Sequence, residues 1–152
     1  MRKIIILCCI ALVISCKSKK HVVVNRSLVL IKPESVEPAK QMRAYDLGKR
    51  LLESCNTSRF KAFSASEATE KVRQNATKDK ISTICKKINQ RNGRFLGLTL
   101  LNVVHNKTKD EFIFRYSINY EKKLFKRELY VTIGADNRVS AIATKEVKDK
   151  PL

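Results

Sequence analysis

Two different spacings of hydrophobic residues divide the chain between residues 38 and 150. In the first half, apolar residues recur every three or four positions, which is the spacing of one helix face. In the second half they alternate with polar residues, as in a strand with one buried side. The change near Phe95 predicts helices followed by strands, and this order is typical of an α+β fold.

Three helices are predicted in the first half. The first begins at Pro38, since proline is accepted in the first turn of a helix, and ends near Asn56. The second is short and begins at Ser64, which together with Glu67 has the form of a capping box. The third ends at Gly93 and shows the clearest helical spacing, through Ile81, Ile84, Cys85 and Ile88.

The second half predicts four strands separated by short polar turns. They cover residues 96–105, 112–120 and 125–133, and a last strand begins at Val139. Short connections favour an antiparallel meander, in which each strand pairs with the next. The predicted fold is therefore α+β, with N-terminal helices packed on a curved four-stranded antiparallel meander sheet.

The N-terminus carries the most specific signal in the chain. Arg2 and Lys3 precede twelve uncharged residues, which are too few to span a bilayer but suit a secretory signal. The run ends in Val13-Ile14-Ser15-Cys16, which resembles the lipobox of bacterial lipoproteins. The resemblance implies cleavage before Cys16 and acyl chains on its thiol that anchor the protein in a membrane. An uncleaved anchor and a plain secretory signal are the alternatives.

This interpretation divides the chain into a lipoprotein signal peptide (1–15), a lipidated basic tether (16–37) and a single α+β domain (38–150). Two apolar runs, Val22–Val24 and Leu28–Ile31, are unusual in a spacer and could add a strand to the domain or to a partner. Lys17 follows Cys16, and the resemblance to lipoproteins then implies the outer membrane, facing the periplasm.

The charge is strongly positive. The chain has 32 Lys and Arg against 14 Asp and Glu, a formal net charge of +18. Such a surplus favours anionic partners. Because the protein is expected outside the cytoplasm, we expect an anionic lipid, an acidic glycan or an envelope protein rather than a nucleic acid.

The order of elements from residue 39 to 148 resembles small extracytoplasmic domains of the nuclear-transport-factor-like, or cystatin-like, cone superfamily. The matching features are the long first helix, the connector before Phe63, the helix running into Gly93-Arg94-Phe95, and the meander closing on Asp136-Asn137-Arg138-Val139. Some members are enzymes that move protons with Asp, Tyr or His in the cup. The resemblance makes Tyr116, Tyr120 and Tyr130 the nearest pocket candidates, with Glu128 on a face that looks solvated.

No catalytic constellation is predicted. The two histidines, His21 and His105, are too few for a metal site, and no phosphate loop or metal-ligand motif occurs. We therefore expect no metal and no cofactor.

Two cysteines, Cys55 and Cys85, lie on predicted helix faces that bury against the same sheet. They form a disulfide if the domain is extracytoplasmic, or remain two buried thiols.

Together these patterns predict a membrane-anchored envelope lipoprotein that acts as a non-enzymatic binding or interaction module. An enzyme with a proton-transfer pocket and an accessory subunit of an envelope complex are the alternatives.

Overall fold

A computed structural model describes residues 27–147, which form three α-helices, one 3-10 turn and five strands. The helices are α1 (Pro38–Thr57), α2 (Glu70–Asn75) and α3 (Lys78–Asn92). The 3-10 turn covers Pro33–Ser35. The strands are β1 (Leu28–Ile31), β2 (Phe95–Asn106), β3 (Glu111–Tyr120), β4 (Lys126–Ile133) and β5 (Val139–Val147). The α+β class predicted from the two spacings is confirmed.

The five strands form one antiparallel sheet in the order β1-β2-β3-β4-β5, a meander in which each strand pairs with the next. The register shifts at two places in the β2–β3 pair and once in the β4–β5 pair, between Thr132 and Ile133. Strands β1 and β5 are the two edges of the sheet.

The prediction of four strands is wrong by one. The additional strand, β1, lies within the stretch interpreted above as a tether and pairs with the last four residues of β2, from Val103 to Asn106. Its four residues are all apolar, so they show no alternation that would mark a half-buried strand. Val36, just after β1, is also buried in the core.

The helices cover one face of the sheet. Along β3, the even-numbered residues from Phe114 to Tyr120 are buried, while the odd-numbered residues between them face the other side. Leu129, Val131 and Ile133 continue the buried layer on β4. The predicted alternation on β3 is therefore confirmed.

Helix α1 lies close against the middle of the sheet. It begins at Pro38 as predicted and buries Ala44, Leu47 and Leu52. A Cβ atom on Gly48 would lie 2.6 Å from Cδ2 of Leu129. The glycine therefore permits the close approach of α1 to β4.

Helix α3 ends at Asn92, directly before Gly93 as predicted, whereas α2 does not begin at its predicted position. It starts at Glu70, six residues after Ser64. The Glu67 carboxylate does accept the Ser64 N–H at 2.8 Å, as in a capping box. However, Ala68 forms a β-bridge with Val139, and this pairing holds the chain extended where the helix was expected.

Candidate ligand-binding cleft

An apolar cleft of about 330 Å³ lies between the helices and β5. It is lined by Leu51 and Leu52 of α1, by Val72 of α2 with Ala76 just after that helix, and by β5 from Ser140 to Thr144. The lining side chains contributed by α3 are Ile81, Ile84, Cys85 and Ile88. The five β5 residues span about 13 Å at the usual rise of a strand.

Helix α3 is joined to α1 beside the cleft and contacts β5 through the Arg91–Glu146 ion pair near its C-terminal end. The Cys55–Cys85 disulfide joins the two helices, with their Cα atoms 4.8 Å apart. Asn89 Nδ2 also donates a hydrogen bond to the Cys55 carbonyl at 2.7 Å. The middle of α3 is therefore fixed to α1, and both cysteines form part of the wall of the cleft.

Ile84 lies at the rim of this cleft. It is 49% exposed, although it belongs to the helix face predicted to be buried. A large aliphatic side chain left half in water beside a concave apolar surface is typical of a binding site rather than of a core.

The electrostatic surroundings of the cleft are positive. Lys71 is the one charged side chain among the lining residues. Helices α2 and α3 together carry seven basic residues against two acidic residues, Glu70 and Asp79. The basic residues are Lys71, Arg73, Lys78, Lys80, Lys86, Lys87 and Arg91.

A polar cluster borders the Thr144 end of the cleft. Arg127 Nη2 donates to Thr144 Oγ1 at 3.3 Å, and Arg127 and Arg91 share the Glu146 carboxylate. The Tyr120 hydroxyl is buried without a hydrogen-bond partner among residues 27–147. Burial raises the pKa of Tyr120 to about 12, with a smaller opposing effect of Arg127. This tyrosine therefore stays protonated and cannot act as a base near neutral pH.

The three tyrosines proposed as pocket candidates do not come together. Tyr116 and Tyr120 are buried on the helix side of β3, whereas Tyr130 lies on the opposite face of the sheet. None of them lines the cleft. Burial, followed by the charges of Tyr45 and Asp46, raises the pKa of Tyr116, so it too remains neutral.

Glu128 is buried on the outer face rather than solvated. Arg115 donates two hydrogen bonds to its carboxylate, at 2.5 and 2.7 Å, and the Tyr130 hydroxyl donates a third at 2.7 Å. The Arg115 hydrogen bond is the largest cause that lowers the pKa of Glu128. Both carboxylate oxygens of Glu128 therefore accept hydrogen bonds from Arg115 or Tyr130, and the ion pair lies on the face away from the cleft.

The remaining predicted residues lie elsewhere. His105 stacks on Phe112 and contacts Asp110 at 3.1 Å, on β2 between β1 and β3. Within residues 27–147, no three His, Cys, Asp or Glu side chains form a group that could hold a metal ion. No helix in the same range is both long and apolar enough to cross a membrane. Cys16 lies outside the described residues.

Lys71, Ile84 and Ile142 line the cleft but were not predicted as site residues. Ile84 and Ile142 were visible only as members of apolar faces. What makes them a site is the gap between α3 and β5, which depends on how helices and sheet pack together.

The chemistry of the cleft is set by its lining residues. Its lining is apolar apart from Lys71, Asn75, Ser140 and Thr144, and no carboxylate, imidazole or free thiol belongs to it among the described residues. Comparison of the chain with protein-family models, with curated proteins and with solved structures gives no match in any of the three.

Proposed function

We propose that this protein is a membrane-anchored, non-enzymatic binding module whose site is the cleft between α2, α3 and β5. The observation that carries the proposal is the apolar cleft of about 330 Å³, with Ile84 half exposed at its rim. The volume is in the range of small-molecule and peptide-side-chain pockets.

The anchoring half of the proposal rests on the lipobox-like Val13–Cys16. Acyl chains on Cys16 would tether the domain to an envelope membrane, with the outer membrane facing the periplasm as the proposed location. The resemblance to cone-superfamily domains supports a cup-like binding site, and the lack of an acid–base group at the cleft favours binding over proton transfer.

The test is photolabelling of the full lipidated chain in lipid nanodiscs with a neutral aliphatic diazirine of about eight carbons. We expect the label to map to peptides of α3 and β5. The Ile84→Lys substitution puts a charge at the rim of the apolar cleft. Because an aliphatic ligand does not pack well against a charge, labelling of these peptides should fall at least about fivefold.

The matched control is Leu96→Lys. Leu96 is 64% exposed and lies outside the cleft, so this substitution adds the same charge to a strand surface. Labelling should be unchanged in this variant. Equal labelling of all three proteins at α3 and β5 would contradict the proposal, and circular dichroism would verify that each variant is folded.

A further inference from the structure

The free edge of β5 borders the cleft along its length. Strand β5 pairs with β4 on one side only. Among residues 27–147, the only backbone hydrogen bonds on its other side involve Val139, so the backbone groups of residues 140–147 that point away from β4 are unpaired there. Such an edge can accept another strand.

The chain itself begins a sixth strand at this edge. Thr69 N–H donates to the Val139 carbonyl at 3.0 Å, and Val139 N–H donates to the Glu67 carbonyl at 2.9 Å. This parallel bridge ends after one residue, because the chain turns into α2 at Glu70. The edge beyond Val139 therefore has strand geometry but no partner within the described residues.

The middle of this edge lacks the devices that usually prevent strand addition. Ala141-Ile142-Ala143-Thr144 contains no charge and no proline, and its alanine side chains are small. Proteins commonly protect long edges with lysine, proline or a covering loop. The other edge strand, β1, is only four residues long.

A strand added here would also fill the cleft. Alternate side chains of a strand point to opposite faces, so every second residue of the incoming strand would lie on the helix side, beside Ile84 and Val72. Main-chain hydrogen bonds to β5 and apolar contacts in the cleft would then act together.

The positive charge of the helices beside the cleft favours an acidic partner. The helices beside the cleft carry seven basic and two acidic residues, and no acidic side chain lines it. The chain's own segment 17–26 is basic, with Lys17, Lys19, Lys20 and Arg26 and no acid, so its charge does not match. It also precedes β1, which lies at the opposite edge of the sheet.

We propose that the cleft binds an extended segment of an acidic partner protein, which adds to β5 as a sixth strand and places alternate apolar side chains between α2, α3 and β5. This inference rests on the proposed function of the cleft and specifies its ligand.

The test uses a fluorescent nonapeptide with a central Val-Ser-Val-Ser-Val and two glutamates at each end, so that the valines can enter the cleft and the charges flank it, added to the full chain in nanodiscs of zwitterionic lipid. We expect it to bind at least about tenfold more tightly than the peptide in which lysines replace the glutamates. The difference in affinity between the two peptides should shrink in 0.5 M salt, because the Debye length is then only about 4 Å and the charges are screened. The Ile84→Lys variant should bind it at least about fivefold more weakly, and Leu96→Lys should not.

Backbone methylation distinguishes strand addition from other binding. In one version of the peptide the N–H groups of one edge are methylated, and in the other version those of the opposite edge. Because only one edge faces β5, one version should lose binding and the other should keep it. Equal binding or equal loss for the two versions would overturn the proposal.

Hydrogen exchange and photolabelling separate the remaining outcomes. Fast-exchanging amides in residues 140–146 should slow at least about tenfold when the peptide binds. If all of these amides are already protected in the free protein, the chain's own termini or a second copy occupy the edge, and the proposal is wrong. Diazirine labelling of the cleft without peptide binding would overturn this inference alone, whereas failure of both would overturn the proposed function as well.

Discussion

At the scale of single residues, Glu67 is the most strongly perturbed carboxylate near the helices. Arg50 donates two hydrogen bonds to it, at 2.9 and 2.8 Å, and the guanidinium also lies 4.9 Å from the centre of the Phe63 ring. The Arg50 hydrogen bond, followed by that of the Ser64 N–H, lowers the pKa of Glu67 to about 2, against the opposing effect of burial. This pair joins α1 to the extended segment before α2.

The first stability prediction follows from this pKa. Because the folded-state pKa lies below the unfolded value near 4.5, the contribution of Glu67 is fully present above about pH 5 and is lost as the pH falls towards 2. We expect Glu67→Gln to lower the free energy of unfolding by roughly 1–3 kcal/mol at pH 7. The difference from the wild type should shrink steadily between pH 5 and pH 2.5, measured by urea unfolding.

Glu53→Gln is the control for this prediction. Glu53 pairs with Lys49 across one helical turn, with half of its side chain exposed. Such pairs contribute less than about 0.5 kcal/mol. If the two variants lose the same stability at pH 7, the Arg50–Glu67 pair has no special role.

At the scale of elements, the Cys55–Cys85 disulfide fixes the position of α3 relative to α1. It closes a loop with a sequence separation of 30 residues, and a loop of that length contributes about 3–4 kcal/mol in the chain-entropy model. We expect the Cys55→Ala/Cys85→Ala variant to lose an amount of this order in urea unfolding. It should also lose selective photolabelling of the cleft, because α3 is no longer fixed to α1.

Reducing agent supplies the matched comparison. It should destabilise the wild type to the level of the double variant and leave the double variant unchanged. Non-reducing peptide mapping of the wild type should recover the peptides of α1 and α3 as one linked species. Two free, alkylatable thiols at these positions would contradict the prediction.

The elements with a strong local period could be predicted, and the others could not. Helix α1, helix α3 and the alternation of β3 follow from side-chain spacing alone. Strand β1 was expected only as one alternative for Leu28–Ile31, because four consecutive apolar residues have no period that would assign them to the sheet. Helix α2 begins six residues after its predicted start at Ser64. The reason is that the bridge from Ala68 to Val139 is a long-range contact that overrides the local capping signal. The cleft depends on the packing of α3 against α1, so only its individual side chains were visible in the sequence.

At the scale of the whole molecule, the proposed binding site and the proposed anchor lie in different parts of the chain. The 11 residues 17–27 separate Cys16 from β1, and β1 is the sheet edge opposite β5. A segment of that length can extend about 36 Å or more. A domain held by Cys16 would therefore keep the β5 edge accessible to a partner even while the tether is bound at the membrane surface.

Lipidation of Cys16 is the last prediction. One acyl chain binds membranes only marginally, but two or three chains hold a protein stably, since each buried methylene contributes about 0.8 kcal/mol. We expect the wild-type chain, expressed in a bacterium fed alkyne-labelled palmitate, to carry the label and to resist extraction with alkaline carbonate. Cys16→Ala should lose the label completely. Cys9→Ala should keep it, because Cys9 lies in the segment that cleavage before Cys16 would remove. Label retained in Cys16→Ala would show that the anchor is elsewhere, and an unlabelled wild type released by carbonate would leave the domain without the anchor that its N-terminal sequence predicts.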